Sequence, residues 1–241
     1  SKILSHFPMD TQDFQIKQKE VIAAIEKQVQ AQSIQFSTIS PTDNFEDDTR
    51  MCLTSVHFPR QNLIREIQKH ILSPLVQHCP GAYFYDDSSL HMTIKNIRVI
   101  HDPPNFTGET IQTAKKVFSE CVPKHPSFCV NFYRLFFFPN NLALLGTSEP
   151  AQDELIADLD KRLIQSGIPD DKTYINTKYF FINVTLARFQ QPPSAEFVHM
   201  VEGISNTIAC DPYRIDTVSL VSSNAAMKRR TTFGTWKLQK S

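Results

Sequence analysis

Residues 89–97, SLHMTIKNI, place a histidine and a threonine two positions apart inside an otherwise apolar, β-prone run. Side chains alternate across a strand, so His91, Thr93 and Lys95 should share one face. The opposite face consists of apolar side chains, which must pack beneath helices. The stretch therefore predicts a strand whose His-Thr-Lys face lines a groove.

A second stretch, residues 178–189 (KYFFINVTLARF), repeats this spacing with an asparagine where the first has its histidine. Asn183 and Thr185 share one face of the predicted strand. Arg188 should lie on the opposite face, off the groove, unless the strand twists or bulges.

The two stretches close intervals of similar length and content. Val56 and His91 are 35 positions apart, Leu144 and Asn183 are 39 apart, and each interval holds one predicted helix. This order indicates an approximate internal duplication. Duplicated lobes place their equivalent strands side by side or face to face, so the HMT and NVT strands should meet.

The rest of the chain alternates between strand-like and helix-like patterns. The helices are predicted at 59–77, 107–122, 149–167 and 194–209, and the clearest other strands at 50–58 and 127–139. An amphipathic helix over 11–35 and a polar connector come first. We expect an N-terminal helical extension and connector (1–45), followed by an α+β domain (46–241) of two pseudo-duplicated lobes, with antiparallel sheets around a central groove and helices outside.

Composition excludes several classes of protein. The 241 residues contain 25 Lys+Arg and 25 Asp+Glu, so no net positive field is available to hold duplex DNA or an anionic membrane. No apolar run reaches the roughly 18 residues of a membrane span, and no signal peptide is recognisable. The expected location is cytoplasmic.

Cysteine and histidine spacing gives no metal motif. The five cysteines form an odd set without a CxxC pair, and the eight histidines show no HExxH. The sequence therefore predicts no metal and no disulfide framework.

The paired motifs HMTI and, 92 positions later, NVTL resemble the His-x-Thr-x motifs of the 2H phosphoesterases. These are relatives of the bacterial RNA 2′,3′-cyclic phosphodiesterases historically called 2′-5′ RNA ligases. The resemblance covers roughly residues 45–240 and implies their bilobal fold. It also implies a cofactor-free reaction on short RNA or nucleotides that carry 2′,3′-cyclic or 2′-5′ linkages.

The resemblance assigns roles to individual residues. In the family one imidazole accepts a proton, a second donates one to the leaving oxygen, and two threonine hydroxyls bind the phosphoryl oxygens. Histidine suits this chemistry because its pKa lies near neutral pH. His91 takes one histidine position, and Thr93 and Thr185 take the threonine positions.

The chain departs from the family at Asn183, since a carboxamide can hydrogen-bond phosphate but cannot transfer a proton near neutral pH. Three explanations remain open: an introduced inactivating substitution, natural conversion into a binding protein, or a variant whose acid comes from elsewhere. For the last, His101 is too distant along its strand and His57 remains possible.

Further residues could contact a substrate. Lys95, in phase with His91, could neutralise phosphate, and Tyr85 or Trp236 could stack on a base, although core packing is the commoner role of such aromatics. Two other functions are considered: a non-catalytic nucleotide- or RNA-binding module of the same fold, and an interaction domain whose N-terminal helix docks a protein partner.

Overall fold

The computed structural model describes residues 9–240. Its α-helices in chain order are α1 (Thr11–Gln30), α2 (Gln61–Ile67), α3 (Ser73–Leu75), α4 (Gly108–Cys121), α5 (Ala151–Gln165) and α6 (Ala195–Ser205). A π-helical turn, Gln68–Leu72, joins α2 to α3, so the predicted helix over 59–77 is one nearly continuous helical segment. None of the described helices is long and apolar enough to cross a membrane.

The strands in chain order are β1 (Met51–His57), β2 (Tyr83–Phe84), β3 (Met92–His101), β4 (Phe128–Phe138), β5 (Asn141–Ser148), β6 (Ile182–Arg188), β7 (Tyr213–Ile215), β8 (Thr217–Ser223) and β9 (Arg230–Lys237). They form one curved antiparallel sheet in the order β7-β4-β5-β6-β3-β1-β8-β9, with β2 paired to β6. The predicted α+β fold with two similar lobes is confirmed. The sheets of the lobes are joined edge to edge where β3 pairs with β6.

The two halves of the sheet have the same internal order, which the duplication predicted. In each half a strand, a helix and a motif-bearing strand follow one another: β1-α2-β3 in the first and β5-α5-β6 in the second. A later strand of each segment crosses over: β4, which follows β3, pairs with β5, and β8, which follows the short β7, returns to pair with β1. Each half therefore contains a strand from the other half's segment of the chain.

One face of the sheet carries the main hydrophobic core. The buried side chains of this core come from the sheet and from α2, α4, α5 and α6, with Leu142 and Leu144 representing β5. The neighbours of these two residues along β5, Ala143 and Leu145, point to the opposite face and belong to a second cluster. These four helices thus cover one face, and the other is left for the groove and for α1.

The N-terminal helix lies on the groove face of the second half. Its buried positions Phe14, Gln18, Val21, Ile22 and Ile25 follow helical spacing, and the last three pack against β5 in the second cluster. The helix ends at Gln30, short of the predicted residue 35, because the turn that follows puts Gln32 at φ 53°.

Candidate functional site

The motif strands meet at the centre of the sheet. Met92 of β3 pairs with Val184 of β6 in antiparallel register. Continuing that register by one residue in each direction sets His91 opposite Thr185 and Thr93 opposite Asn183. The two motifs are therefore related by an approximate two-fold axis at the joint between the halves.

A cavity of about 440 Å³ lies on the groove face over this joint. All four motif residues line it: His91, Thr93, Asn183 and Thr185. Within the described chain neither threonine hydroxyl nor the Asn183 carboxamide forms a side-chain hydrogen bond, so all three remain available to a ligand.

His91 is held as a neutral imidazole. Its Nδ1 lies 2.8 Å from the Ser89 carbonyl oxygen, which can only accept, so Nδ1 carries the proton and Nε2 is left as an acceptor. Burial lowers the pKa of His91 to about 4, and the nearby Arg188 and Arg230 act in the same direction. The ring can therefore accept a proton, but it is not charged at neutral pH.

A β-bulge follows the threonine in each motif and changes which side chains face the cavity. In β3, Thr93 pairs with Val56 and Lys95 with Ser55, which leaves Ile94 as the extra residue. Adjacent residues of β1 point to opposite faces, so Lys95 leaves the groove face and the following residue, Asn96, enters it.

The bulge in β6 brings Arg188 into the site. Thr185 pairs with Ala143 and Ala187 with Leu142, so Leu186 is the extra residue and Arg188 turns to the same face as Thr185. Arg188 lines the cavity. Asn96 and Arg188 each lie three positions after the motif threonine, which makes them equivalent under the same approximate two-fold. Arg188 was expected to lie off the groove unless its strand bulged. The strand does bulge, so Arg188 faces the cavity.

Arg188 is a buried cation without an acidic partner. It is 6% exposed, and its Nε donates to the Tyr85 hydroxyl at 2.8 Å. No carboxylate in residues 9–240 lies within 4.0 Å of its guanidinium. A buried, unpaired charge costs several kcal/mol unless an anion compensates it. The remaining N–H donors of Arg188 are free to bind such an anion.

The charged side chains around the cavity all have the same sign. Lys172, Lys178 and Arg188 line it, and none of the described lining residues is Asp or Glu. Desolvation lowers the pKa of the Lys172 ammonium, with Asp170 as the main opposing influence. In a chain of zero formal net charge, this local excess of cations favours a negatively charged ligand.

Solved structures share this architecture. Escherichia coli LigT, solved as a complex with 3′-AMP, matches with a TM-score of 0.51 at 16% identity, over 79% of this chain and 99% of LigT. TT0787 of Thermus thermophilus matches with a TM-score of 0.51 at 14% identity, over 80% and 100% of the two chains. This chain has the LigT fold.

A third solved structure shares this fold. The conserved protein ATU0111 of Agrobacterium tumefaciens has a TM-score of 0.55 at 14% identity, over 79% of this chain and 90% of its own. No protein-family model and no curated protein matches the sequence. The likeness to LigT is therefore one of fold, and the chemistry has to be argued from the side chains.

Three residues predicted to contact substrate lie outside the cavity lining of this LigT-fold chain. Lys95 is 4% exposed and pairs with Asp160 at 2.7 Å and Asp170 at 2.8 Å on the helix-covered side. The expectation that Lys95 shares a face with His91 and Thr93 is wrong, because the bulge at Ile94 turns the Lys95 side chain to the opposite face of the sheet.

The two aromatic candidates also lie elsewhere. Tyr85 is fully buried, accepts from Arg188 and donates to the Ala225 carbonyl, so it orients the arginine and presents no face to a base. Trp236 in β9 packs on Phe118 of α4, with ring centroids 6.0 Å apart.

The other histidines considered as a second proton-transfer group do not reach the site either. His57 is buried between the Tyr213 hydroxyl and Thr217, and His101 hydrogen-bonds the Pro103 carbonyl. Neither lines the cavity; in the described part of the chain His91 is the one histidine that does.

One cluster outside the cavity has donor groups that could suit a metal. Within residues 9–240, Cys121, His125 and Asp158 place ligand atoms within 4.8 Å of one another. The carboxylate already accepts from His125 at 3.0 Å and from Arg162 at 2.9 Å. Arg162 binds Oδ1, and the Cys121 thiol donates to the same Oδ2 atom as His125, so hydrogen bonding accounts for the cluster.

Proposed function

We propose that the cavity binds the phosphoryl group of a nucleotide or RNA end, and that the chain is a 2H-type phosphoesterase weakened by Asn183. Arg188 carries this proposal: a buried guanidinium with no carboxylate partner, beside two unpaired threonine hydroxyls, matches the geometry of a bound phosphate. LigT was solved with a nucleotide, 3′-AMP, which supports the same ligand class here.

The proposed reaction on a 2′,3′-cyclic phosphate needs two proton transfers. Water attacks phosphorus while His91 Nε2 accepts its proton, one P–O bond of the ring breaks, and the released ribose oxygen must gain a proton. Thr93, Thr185 and Arg188 bind the non-bridging oxygens, whose charge grows in the transition state. The carboxamide of Asn183 can hold the leaving oxygen but cannot protonate it.

A non-catalytic nucleotide- or RNA-binding module is the second candidate, and Asn183 is the observation that favours it. A positioned acid or base contributes about 10²- to 10⁴-fold to a rate. A site that lacks one of the pair can keep its affinity for phosphate with little turnover. Both candidates use the same Thr93, Thr185 and Arg188 contacts.

Restoring the second histidine separates the two. We expect Asn183→His to raise hydrolysis of a 2′,3′-cyclic mononucleotide by about 10²- to 10⁴-fold, measured as the release of the nucleoside monophosphate. The matched control is Asn206→His, at the exposed C-terminus of α6.

Binding measurements complete this experiment. Retained nucleotide affinity without any gain in turnover for Asn183→His would assign the chain to the binding module. Thr93→Ala and Thr185→Ala should each weaken binding of the same nucleotide. If neither does so in a folded protein, the phosphate site itself is refuted.

A further inference from the structure

The segment between α1 and β1 forms a strap across the groove face, defined here as residues 35–48. Together with α1 it supplies one side of the cavity lining: Val21 and Ile25 from the helix, and Phe36, Ser37, Thr38 and Ile39 from the strap. The groove between the two halves is thereby walled by a part of the chain that precedes both.

The strap is fastened to the second half at several points. The Ser37 amide donates to the Thr173 carbonyl at 3.0 Å, and the Thr173 amide donates back to the Ser37 hydroxyl at 2.9 Å. The Asn140 side chain donates to the Ile39 carbonyl at 3.1 Å. These attachments come from the β4–β5 turn and from the loop that leads into β6.

Further along, the strap passes from the second half to the first. Gln190, which follows β6 of the second half, donates to the Thr42 and Asp43 carbonyls at 3.1 and 2.7 Å. The buried Asn224, which follows β8, donates to the carbonyls of Phe45, Glu46 and Asp48. A segment bonded to both halves of the sheet is a fixed wall of the cavity, since opening it would break all of these bonds.

The wall built by α1 and the strap differs in chemistry from the floor. The floor is polar and cationic, through the motif residues, Lys172 and Arg188. Apart from Ser37 and Thr38, the wall is apolar and aromatic: Val21, Ile25, Phe36 and Ile39, joined by Phe138, Tyr179 and Phe181 of the second cluster. A ligand that fits both surfaces has a phosphate at one end and a flat, weakly polar group such as a nucleobase at the other.

The size of the cavity limits the length of that ligand. About 440 Å³ lies near the lower end of the roughly 300–1,000 Å³ typical of small-molecule pockets. Proteins that hold a strand of RNA use an open groove whose basic residues follow the backbone over several nucleotides. Lys172, Lys178 and Arg188 are the cations of the described lining.

We propose that α1 and the strap restrict the substrate to single-nucleotide phosphoesters and exclude RNA chains. This inference rests on the proposed phosphate site. The match to LigT takes in 99% of LigT but 79% of this chain, so this chain carries segments beyond those shared with LigT. In this proposal the strap is a determinant of specificity, because it closes one side of the groove.

Binding of two probes to the full chain tests this. Adenosine 3′-monophosphate should bind at least about 10-fold more tightly than a 3′-phosphorylated oligoadenylate of roughly ten nucleotides, by titration calorimetry. Asn140→Ala/Gln190→Ala, which removes the hydrogen bonds to the strap carbonyls of Ile39, Thr42 and Asp43, should reduce this preference. The matched control is Asn206→Ala/Gln112→Ala, two exposed positions away from the strap.

A second variant tests the wall without loosening the strap. Phe36→Ala should weaken binding of adenosine 3′-monophosphate and leave binding of inorganic phosphate unchanged, because it removes the aromatic surface alone.

The outcomes separate this inference from the proposed function. Equal or tighter binding of the oligoadenylate by the unaltered chain would refute the size restriction while leaving the phosphate site intact. An unchanged affinity of Phe36→Ala for adenosine 3′-monophosphate would refute the wall. Failure of the unaltered chain to bind inorganic phosphate and both nucleotide probes would overturn the phosphate site, and the restriction with it.

Discussion

The protonation state of His91 has a consequence for stability as well as for chemistry. In the folded protein the pKa of His91 is about 4, whereas an unfolded chain holds histidine near its ordinary 6.5. Between these values the unfolded state binds more protons than the folded state, so acidification favours unfolding. The contribution of His91 is fully present above pH 6.5 and is lost as the pH falls toward 4.

This predicts a difference between the wild-type chain and His91→Gln, which keeps a donor toward the Ser89 carbonyl but cannot titrate. From pH 7 to pH 5 the free energy of unfolding of the wild type should fall by about 2 kcal/mol more than that of the variant. Urea denaturation at the two pH values measures it. His70→Gln, at an exposed position of the π-helical turn, is the control, and equal falls for wild type and His91→Gln would contradict the assignment.

The alternation of side chains in the sequence predicted the correct face of the sheet for residues in a strand whose register is unbroken. His91, Thr93, Asn183 and Thr185 lie within three positions of one another in each motif, and the cavity brings them together as their alternation indicated. Lys95 and Arg188 lie beyond the bulges, and there simple alternation assigns each to the opposite face. A bulge depends on the partner strand, so a single stretch of sequence does not reveal it.

At the scale of elements, α1 is attached to the sheet by polar as well as apolar contacts. Gln18 is fully buried and donates to the Ser148 hydroxyl at 2.8 Å and to the Phe180 carbonyl. Its own side-chain oxygen accepts from the Ser148 amide at 2.9 Å. Ser148 belongs to β5 and Phe180 precedes β6, so one side chain joins the helix to both strands.

Removing this side chain should therefore be costly. Gln18→Ala leaves the Ser148 amide and the Phe180 carbonyl without their partner, and each buried unsatisfied group costs about 1–3 kcal/mol. We expect a loss of about 2–4 kcal/mol in the free energy of unfolding, measured by chemical denaturation. Gln12→Ala, on the exposed face of the same helix, should change it by less than about 0.5 kcal/mol, and similar losses for both variants would refute the anchoring role of Gln18.

The periodicity of α1 predicted a helix with one apolar face but not the surface that this face would cover. A buried glutamine among Val21, Ile22 and Ile25 carries no signal of its own in a sequence, since its partners lie about 130 to 160 positions away. The strap is similar, because its attachments to Thr173, Gln190 and Asn224 are made between a polar connector and distant loops.

At the scale of the whole molecule, the internal duplication was visible in the sequence, but its consequence for the sheet was not. Two similar lobes could each have closed their own sheet. Instead β4 and β8 exchange between the halves, and β3 pairs with β6 across the joint. Long-range packing decides which strands pair. The local sequence patterns of β4 and β8 are compatible with pairing in either half.

Strand exchange predicts that the two halves unfold together. If β4 separates from β5, the second half loses the strand beside its central strand β5. Since β4 is joined to the first half through α4, the first half is destabilised as well.

Trp236 in β9, the chain's single tryptophan, reports on the first half through its fluorescence. A Trp236→Phe/Phe137→Trp variant moves the reporter to β4, in the second half. The urea midpoints from both reporters and from far-UV circular dichroism should coincide. Separate midpoints for the two tryptophan positions would show that the halves are independent units, and the exchanged strands would then not couple their stability.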